Sequence, residues 1–376
     1  MWNSINRFQD PNLVAAVQRY FGVLPVPEAV NAKKDVCNSG LLAGDESRLS
    51  DSSTKQPEIK KFVVTKKLWY YVFLVSTHLG DEFFYAALFS FLFWNVDVVI
   101  ARKIVLVWCF SLSTGFPPVY CLQKKWSQEY GMPSTHAVIG VTIPFSALYF
   151  AMQRYQINLL YGVIISLFFC LMICLSRLYL GMHSVLDIIA GLIYGVICLL
   201  SSFLLPQHYD TALLIHSWSP FFLILFCSLC ITLYPKSIYP ITRQVSSFML
   251  KDTTIVLGAF AGIYIGLWTC HHLNASNHLH VADLSSAETS VLSSIGSGFE
   301  RMIIGGLTIL AFRTCFESAY HFILHVFTDS KTSAPSFLVL SFHFLKYFLV
   351  GFNITFVIPY LFKYFGIERS TYFREI

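Results

Sequence analysis

The order of apolar and polar positions divides the chain into unlike parts. Residues 1–30 carry Arg7, Asp10, Arg19 and Glu28 with no sustained apolar core, so they do not read as a secretory leader. Within them, Leu13 to Val26 is predicted as a short amphipathic helix, ended by Pro25 and Pro27. Residues 31–67 are rich in Ser, Lys and Asp and read as a solvated linker that closes on Lys60, Lys61, Lys66 and Lys67. From Leu68 the pattern changes to apolar runs at about 68–94, 98–113, 137–152, 157–176, 185–205, 218–234, 253–270, 302–327 and 343–365. A helix needs about 20 residues to cross a bilayer. The expected fold is therefore all-α, a polytopic transmembrane helical bundle of about 8–9 spans. The second run is anomalous. After Arg102-Lys103 only Ile104 to Leu112 is convincingly apolar, and Ser113, Thr114, Gly115 and Pro117-Pro118 then break it.

Composition narrows the class. Of 376 residues, 55% are hydrophobic and only 12% charged, against roughly 25% charged in an average soluble domain. Too few charges remain to cover a soluble protein of this size, and a disordered chain or a coiled coil is excluded as well. The net charge of +5 sits mostly at the ends of apolar runs, which suits membrane flanks and not a nucleic-acid face. Most of the ten cysteines lie in apolar runs. Cys227-x-x-Cys230 lies mid-run with no second pair to complete a metal site, so it reads as packing.

Some runs carry ionisable groups. His78, Asp81 and Glu82 interrupt the first; Arg313 and Glu317 in the eighth stand four residues apart and can neutralise each other. Intramembrane charges are functional candidates by default, but structural pairs or interface-level residues are the simpler reading of both sets. His271, His272, His278 and His280, with Asp283 as the one acidic neighbour, read as a solvated loop.

Two clusters carry chemistry. Met132-Pro133-Ser134-Thr135-His136 precedes one span, and Ser176-Arg177 with Gly181-Met182-His183-Ser184-Val185-Leu186-Asp187 joins two others. The chain leaves the first cluster by one crossing and reaches the second by the next, so both lie on one membrane face. His183 and Asp187 are four residues apart, so on a helix they share a face. A carboxylate there can fix the imidazole tautomer and leave the other nitrogen as nucleophile or base. Arg177 offers a planar fork for phosphate oxygens, Ser134 a hydroxyl, and His136 a second imidazole able to protonate a leaving alkoxide. Together these parts describe phosphoryl transfer. No carboxylate cluster is available for magnesium, so metal- and cofactor-free catalysis through a phosphohistidine is the simplest scheme.

Pro133-Ser134-Thr135-His136 resembles the Pro-Ser-x-His motif of the type 2 phosphatidic acid phosphatase superfamily. Ser176-Arg177, five residues, His183, three residues, Asp187 resembles its Ser-Arg-x5-His-x3-Asp motif. The wording around them, Glu129 to Ala137 and Gly181 to Gly191, is similar to the sphingosine-1-phosphate phosphatase branch. So is the run Asp10 to Ala15 followed by Phe21-Gly22. The resemblance implies a helical core like that of the phosphatases and haloperoxidases. It implies His183 as nucleophile, Asp187 as its orienting partner, His136 as acid, and Ser134 and Arg177 as phosphate holders. It also implies sphingosine 1-phosphate and dihydrosphingosine 1-phosphate as substrates, and a multi-pass place in the endoplasmic reticulum membrane. On that reading 1–67 is an N-terminal polar segment, 68–205 the phosphatase core and 206–376 a C-terminal transmembrane region.

One departure stands out. The superfamily's first motif is Lys, six residues, then Arg-Pro, and this sequence has no Arg-Pro dipeptide. Pro117-Pro118 looks like the pair that normally follows that motif. A short deletion between about Trp108 and Phe116 would explain both the absent motif and the short second run. Arg102, Lys103, Lys124 and Lys125 are the candidate substitute cations. The rival readings are a catalytically impaired relative that binds lipid or protein, and a transporter. The second lacks any repeat symmetry to support it. The distribution of lysines places the site on the cytosolic face by the positive-inside rule, whereas the resemblance implies a lumenal site, which is the expectation taken.

Overall fold

The computed structural model describes Phe8 and residues 10–25, 62–113, 133–204, 209–234, 240–277, 291–327 and 336–376. Backbone polar groups in hydrocarbon find no water, so apolar runs satisfy them internally as helices. In chain order these are α1 (Pro11–Tyr20), α2 (Lys67–His78), α3 (Glu82–Phe91), α4 (Val98–Ser113), α5 (Thr135–Met152), α6 (Leu159–Tyr179) and α7 (Val185–Leu204). There follow α8 (Tyr209–Ile215), α9 (Ser219–Thr232), α10 (Pro240–Asn277), α11 (Val291–Phe327), α12 (Ser336–Phe352) and α13 (Ile358–Phe365). Wide π turns, Leu92–Val96 and Asn353–Val357, extend α3 and join α12 to α13.

Among the described residues, six helices are long and apolar enough to cross a membrane, or seven if the bent pair α8–α9 counts as one span. The protein is a multi-pass membrane protein. The expected 8–9 spans are not reached on this measure, for two physical reasons. The first apolar run breaks at Leu79-Gly80-Asp81, between α2 and α3. The second, α4, is described over 16 residues, about 24 Å of helix against a hydrocarbon core of about 30 Å. Short as it is, α4 is central: Ile100, Ala101, Ile104, Val105, Val107 and Trp108 are all buried.

The N-terminal helix is shorter than its pattern suggests and starts earlier. Asp10 caps it, its carboxylate accepting from Asn12 N at 2.9 Å, and Pro11 takes the first position. It ends at Tyr20 because Gly22 turns the chain with φ 94°. Val23–Pro25 (β1) then pairs antiparallel with Phe62–Val64 (β2). This clamp holds α1 beside the end of α6, where Gln18 Nε2 donates to Tyr179 O at 3.0 Å. Phe21 meets Trp69 and Phe73 edge-on, and Phe73 packs on Tyr179.

The packing that matters most joins α5 to α7. Gly191 and Gly195 lie one turn apart on α7, a small-residue stripe that lets helix backbones approach. A Cβ at Gly191 would lie 2.7 Å from Ser134 O and 2.9 Å from Ala137 Cβ; one at Gly195 would lie 3.0 Å from Val138 O. The same device repeats between α10 and α12, where Gly258 and Gly262 face the Phe344 and Phe348 carbonyls.

Overpacking a close-packed contact costs about 1–3 kcal/mol. Gly191→Val is therefore expected to lower thermal stability in detergent and to separate the start of α5 from that of α7. An unchanged unfolding midpoint would show that the contact is loose.

Candidate active site

The two sequence clusters meet. Ser134 N donates to Asp187 O at 3.1 Å, tying the entry of α5 to the first turn of α7. Pro133 lies just before; Met132 is outside the described residues. Ser134 stands at the N-cap of α5 with extended backbone, yet its hydroxyl makes no cap hydrogen bond. It is fully buried, and its Oγ has no hydrogen-bond partner among the described residues. A buried hydroxyl so placed keeps its donor and acceptor for a bound group.

On the other side, α6 closes with Gly181 at φ 68°, and Met182 N donates back to Arg177 O at 3.0 Å. This left-handed cap turns the chain so that His183 enters the bundle, 7% exposed. Ser184 and Asp187 then form a reciprocal cap at the start of α7. Asp187 Oδ2 accepts from Ser184 N at 2.8 Å, and Ser184 Oγ accepts from Asp187 N at 3.2 Å. Asp187 Oδ2 is 3.9 Å from His183 Nδ1. So the carboxylate lies beside the imidazole as the spacing predicts, but its shorter bond goes to the helix start. Arg177 projects to the break after α2, where Nη1 donates to Thr77 Oγ1 at 3.0 Å.

Burial is the main cause that pushes His183 down to about 3, with the Arg177 and His136 charges adding to it. Burial thus favours the neutral imidazole, with a lone pair.

His136 lies in the first turn of α5, and its two buried ring nitrogens have no hydrogen bond among the described residues. Its neighbour is a residue whose sequence context reads as structural. Asp81 Oδ1 is 3.7 Å from His136 Nε2, and Asp81 Oδ2 takes the His78 Nδ1 contact at 2.5 Å. A Cβ at Gly80 would overlap the His136 ring. The signal available in the sequence is Gly80-Asp81 itself, a helix breaker joined to an acid inside an apolar run.

The candidate substitute cations divide. Arg102 is buried and paired with Asp210 at 2.8 Å. Lys103 lies with its ammonium 5.5 Å from the Phe150 ring centroid. Phe150 is 14 residues beyond His136 on α5, about 21 Å along the axis. Both therefore belong to the other end of the bundle. Lys124 and Lys125 lie outside the described residues. Arg313 and Glu317 pair at 3.2 Å as expected, and Lys346 joins them at 3.3 Å. His271 faces the Ile376 carbonyl and His272 the Trp268 carbonyl; His278, His280 and Asp283 are outside the described residues. Cys227 is fully buried in the core against Leu257.

Comparison with known proteins gives the following. The PAP2 superfamily profile matches residues 110–210. Sphingosine-1-phosphate phosphatase 1 of Rattus norvegicus is 31% identical, over 80% of this chain and 73% of its own length. Sphingosine-1-phosphate phosphatase 2 of Homo sapiens is 27% identical, over 96% of this chain and 99% of its own. A dihydrosphingosine 1-phosphate phosphatase of Schizosaccharomyces pombe is 23% identical, over 55% of this chain and 54% of its own. No solved structure matches.

The depressed His183 value has a consequence for stability. As pH falls from about 6.5, the unfolded chain takes up a proton that folded His183 refuses until about pH 3. The stability is whole above pH 6.5 and is lost across that window, by about 2 kcal/mol at pH 5. The unfolding midpoint of His183→Gln should therefore drop less between pH 7 and pH 5 than that of the unaltered protein. An equal drop would mean that His183 titrates normally.

Proposed function

The chain belongs to the sphingosine-1-phosphate phosphatase family, and from that premise we propose that it hydrolyses long-chain base phosphates, sphingosine 1-phosphate and dihydrosphingosine 1-phosphate, through a phosphohistidine. The observation that carries the mechanism is the Ser134–Asp187 backbone bond, which draws the two imidazoles, the guanidinium and the buried hydroxyl to one end of the bundle. Asp187 stands on the Nδ1 side of His183, so Nε2 attacks phosphorus. The P–O bond to the sphingoid oxygen breaks, and that oxygen takes a proton from His136. Water then attacks the phosphohistidine, giving its proton to His136; the P–N bond breaks and inorganic phosphate leaves. Ser134 and Arg177 hold the equatorial oxygens, whose charge must be met by fixed donors. The endoplasmic reticulum is the proposed membrane, with the site facing its lumen. The clamp of α1 against α6 supports placing the N-terminal segment on that same face.

A second reading is favoured by one observation. Arg102 and Lys103 lie at the far end of the bundle, so neither replaces the cations of the absent Lys-x6-Arg-Pro motif. Losing one preorganised donor costs about 10²–10³ in rate. The chain as written then acts on these lipids far more weakly than a relative that has the motif, and binding outlasts turnover.

Both readings are tested by one set of proteins: the chain as written, a form with a Lys-x6-Arg-Pro segment inserted before Pro117, and that form with His183→Ala or His136→Ala. Phosphate release per folded protein should rise about a hundredfold or more on insertion. It should fall to background in His183→Ala and by about 10²–10⁴ in His136→Ala. Equal activity with and without the segment would contradict the impaired reading. Activity retained by His183→Ala would contradict the phosphohistidine.

A further inference from the structure

The break in the first apolar run has a chemical use. Gly80 lets α2 and α3 part against the His136 imidazole, since any side chain there would occupy the ring's position. The next residue, Asp81, begins α3 with extended backbone but makes no cap hydrogen bond to it. Its carboxylate is thus released from the duty such a residue usually has. One oxygen goes to His78 and the other faces His136 Nε2 at 3.7 Å. The other groups around this pair leave His136 little support for a positive charge. Arg177 reaches the same break through Thr77, and His183 faces the pair from the turn before α7. Tyr85 of α3 spends its hydroxyl on Leu79 O. Arg313, over the Phe83 ring, is paired with Glu317.

We propose that Asp81 is a positioning residue for the acid step: it is the counter-charge that favours the imidazolium form of His136, the form that protonates the leaving sphingoid oxygen. The inference rests on the phosphatase reading above and adds a member to its machinery from outside both motifs. The proton passes from His136, from the ring nitrogen turned away from Asp81, to the oxygen whose bond to phosphorus breaks. Asp81 stays ionised throughout, and water returns the proton to His136 in the second step. A buried imidazolium needs such a partner, because burial and a neighbouring guanidinium both favour the neutral ring.

The test uses the form carrying the Lys-x6-Arg-Pro segment, with Asp81→Asn, Asp81→Glu and, as control, His78→Gln. Two substrates are compared: sphingosine 1-phosphate, whose alkoxide must be protonated, and p-nitrophenyl phosphate, whose phenolate leaves without a proton. In Asp81→Asn, kcat for the lipid at pH 7.5 should fall about tenfold or more, with KM little changed. The basic limb of its pH profile should move down by about 1–3 pH units. Hydrolysis of p-nitrophenyl phosphate should fall less than that of the lipid, since it shares only the second step and needs no acid in the first. Asp81→Glu should restore part of the lipid activity, and His78→Gln should leave the limb in place. Equal losses on both substrates with an unmoved limb would overturn the proposal and make Asp81 a structural part of the break. Absence of turnover on either substrate by the unsubstituted form would sink the phosphatase reading instead. Ring-¹⁵N NMR of His136 reads its charge without turnover. His136 should stay protonated to higher pH in the unsubstituted form than in Asp81→Asn, and coincident titrations would overturn the proposal whatever the activities.

Discussion

The close approach of α5 and α7 is the constraint on which the site depends. The two helices come from runs that sequence separates by a full hairpin through α6. Gly191 and Gly195 allow their backbones to meet at the level of Ser134 and Val138. In hydrocarbon there is no hydrophobic force to press helices together, so backbone fit and hydrogen bonds decide the contact. The Ser134 N to Asp187 O bond is its local expression. Because Asp187 also fastens the start of α7 through Ser184, the helix entry, the carboxylate and the neighbouring His183 are set as one unit.

Electrostatics then divides the labour between the two histidines. His183 is buried near Arg177 and His136, surroundings that oppose a proton. His136 is close to the same cation but has Asp81 across from it, Oδ1 at 3.7 Å from Nε2. Each imidazole has a carboxylate nearby, Asp187 at 3.9 Å from His183 and Asp81 at 3.7 Å from His136, but Asp187 also accepts from Ser184 N at the start of α7. The interruption of the first apolar run, which costs it a continuous span, is what delivers the Asp81 carboxylate.

Much of this is legible in the sequence. Composition and apolar runs indicate the multi-pass helical class, and the two motifs contain the residues that converge. Two crossings return the chain to one face, where Ser134 N meets Asp187 O. The far-end position of Arg102 and Lys103 is also within reach, since one crossing separates them from Pro133 and the motif. Three features are harder to read. The partnership of Asp81 with His136 joins residues 55 positions apart through a helix break, which period and propensity do not encode. The end of α1 at Tyr20 depends on Gly22 and on β2, whose strand lies across a long polar segment. The role of Asp187 as a reciprocal helix cap as well as a neighbour of His183 rests on Ser184 standing at the N-cap, a pattern visible in Ser184-x-x-Asp187 but overshadowed by the His-x-x-x-Asp spacing.

The central claim is that the phosphoryl group passes through His183. Its most direct test is rapid acid-free quenching of the protein during turnover of labelled sphingosine 1-phosphate, followed by mapping of the label by mass spectrometry under alkaline conditions. A base-stable, acid-labile phosphoryl group is expected on His183, accumulating when His136 is replaced by Ala and an activated phenyl phosphate supplies the group. A label on His136, or phosphate released with no phosphorylated residue at any time during turnover, would contradict it.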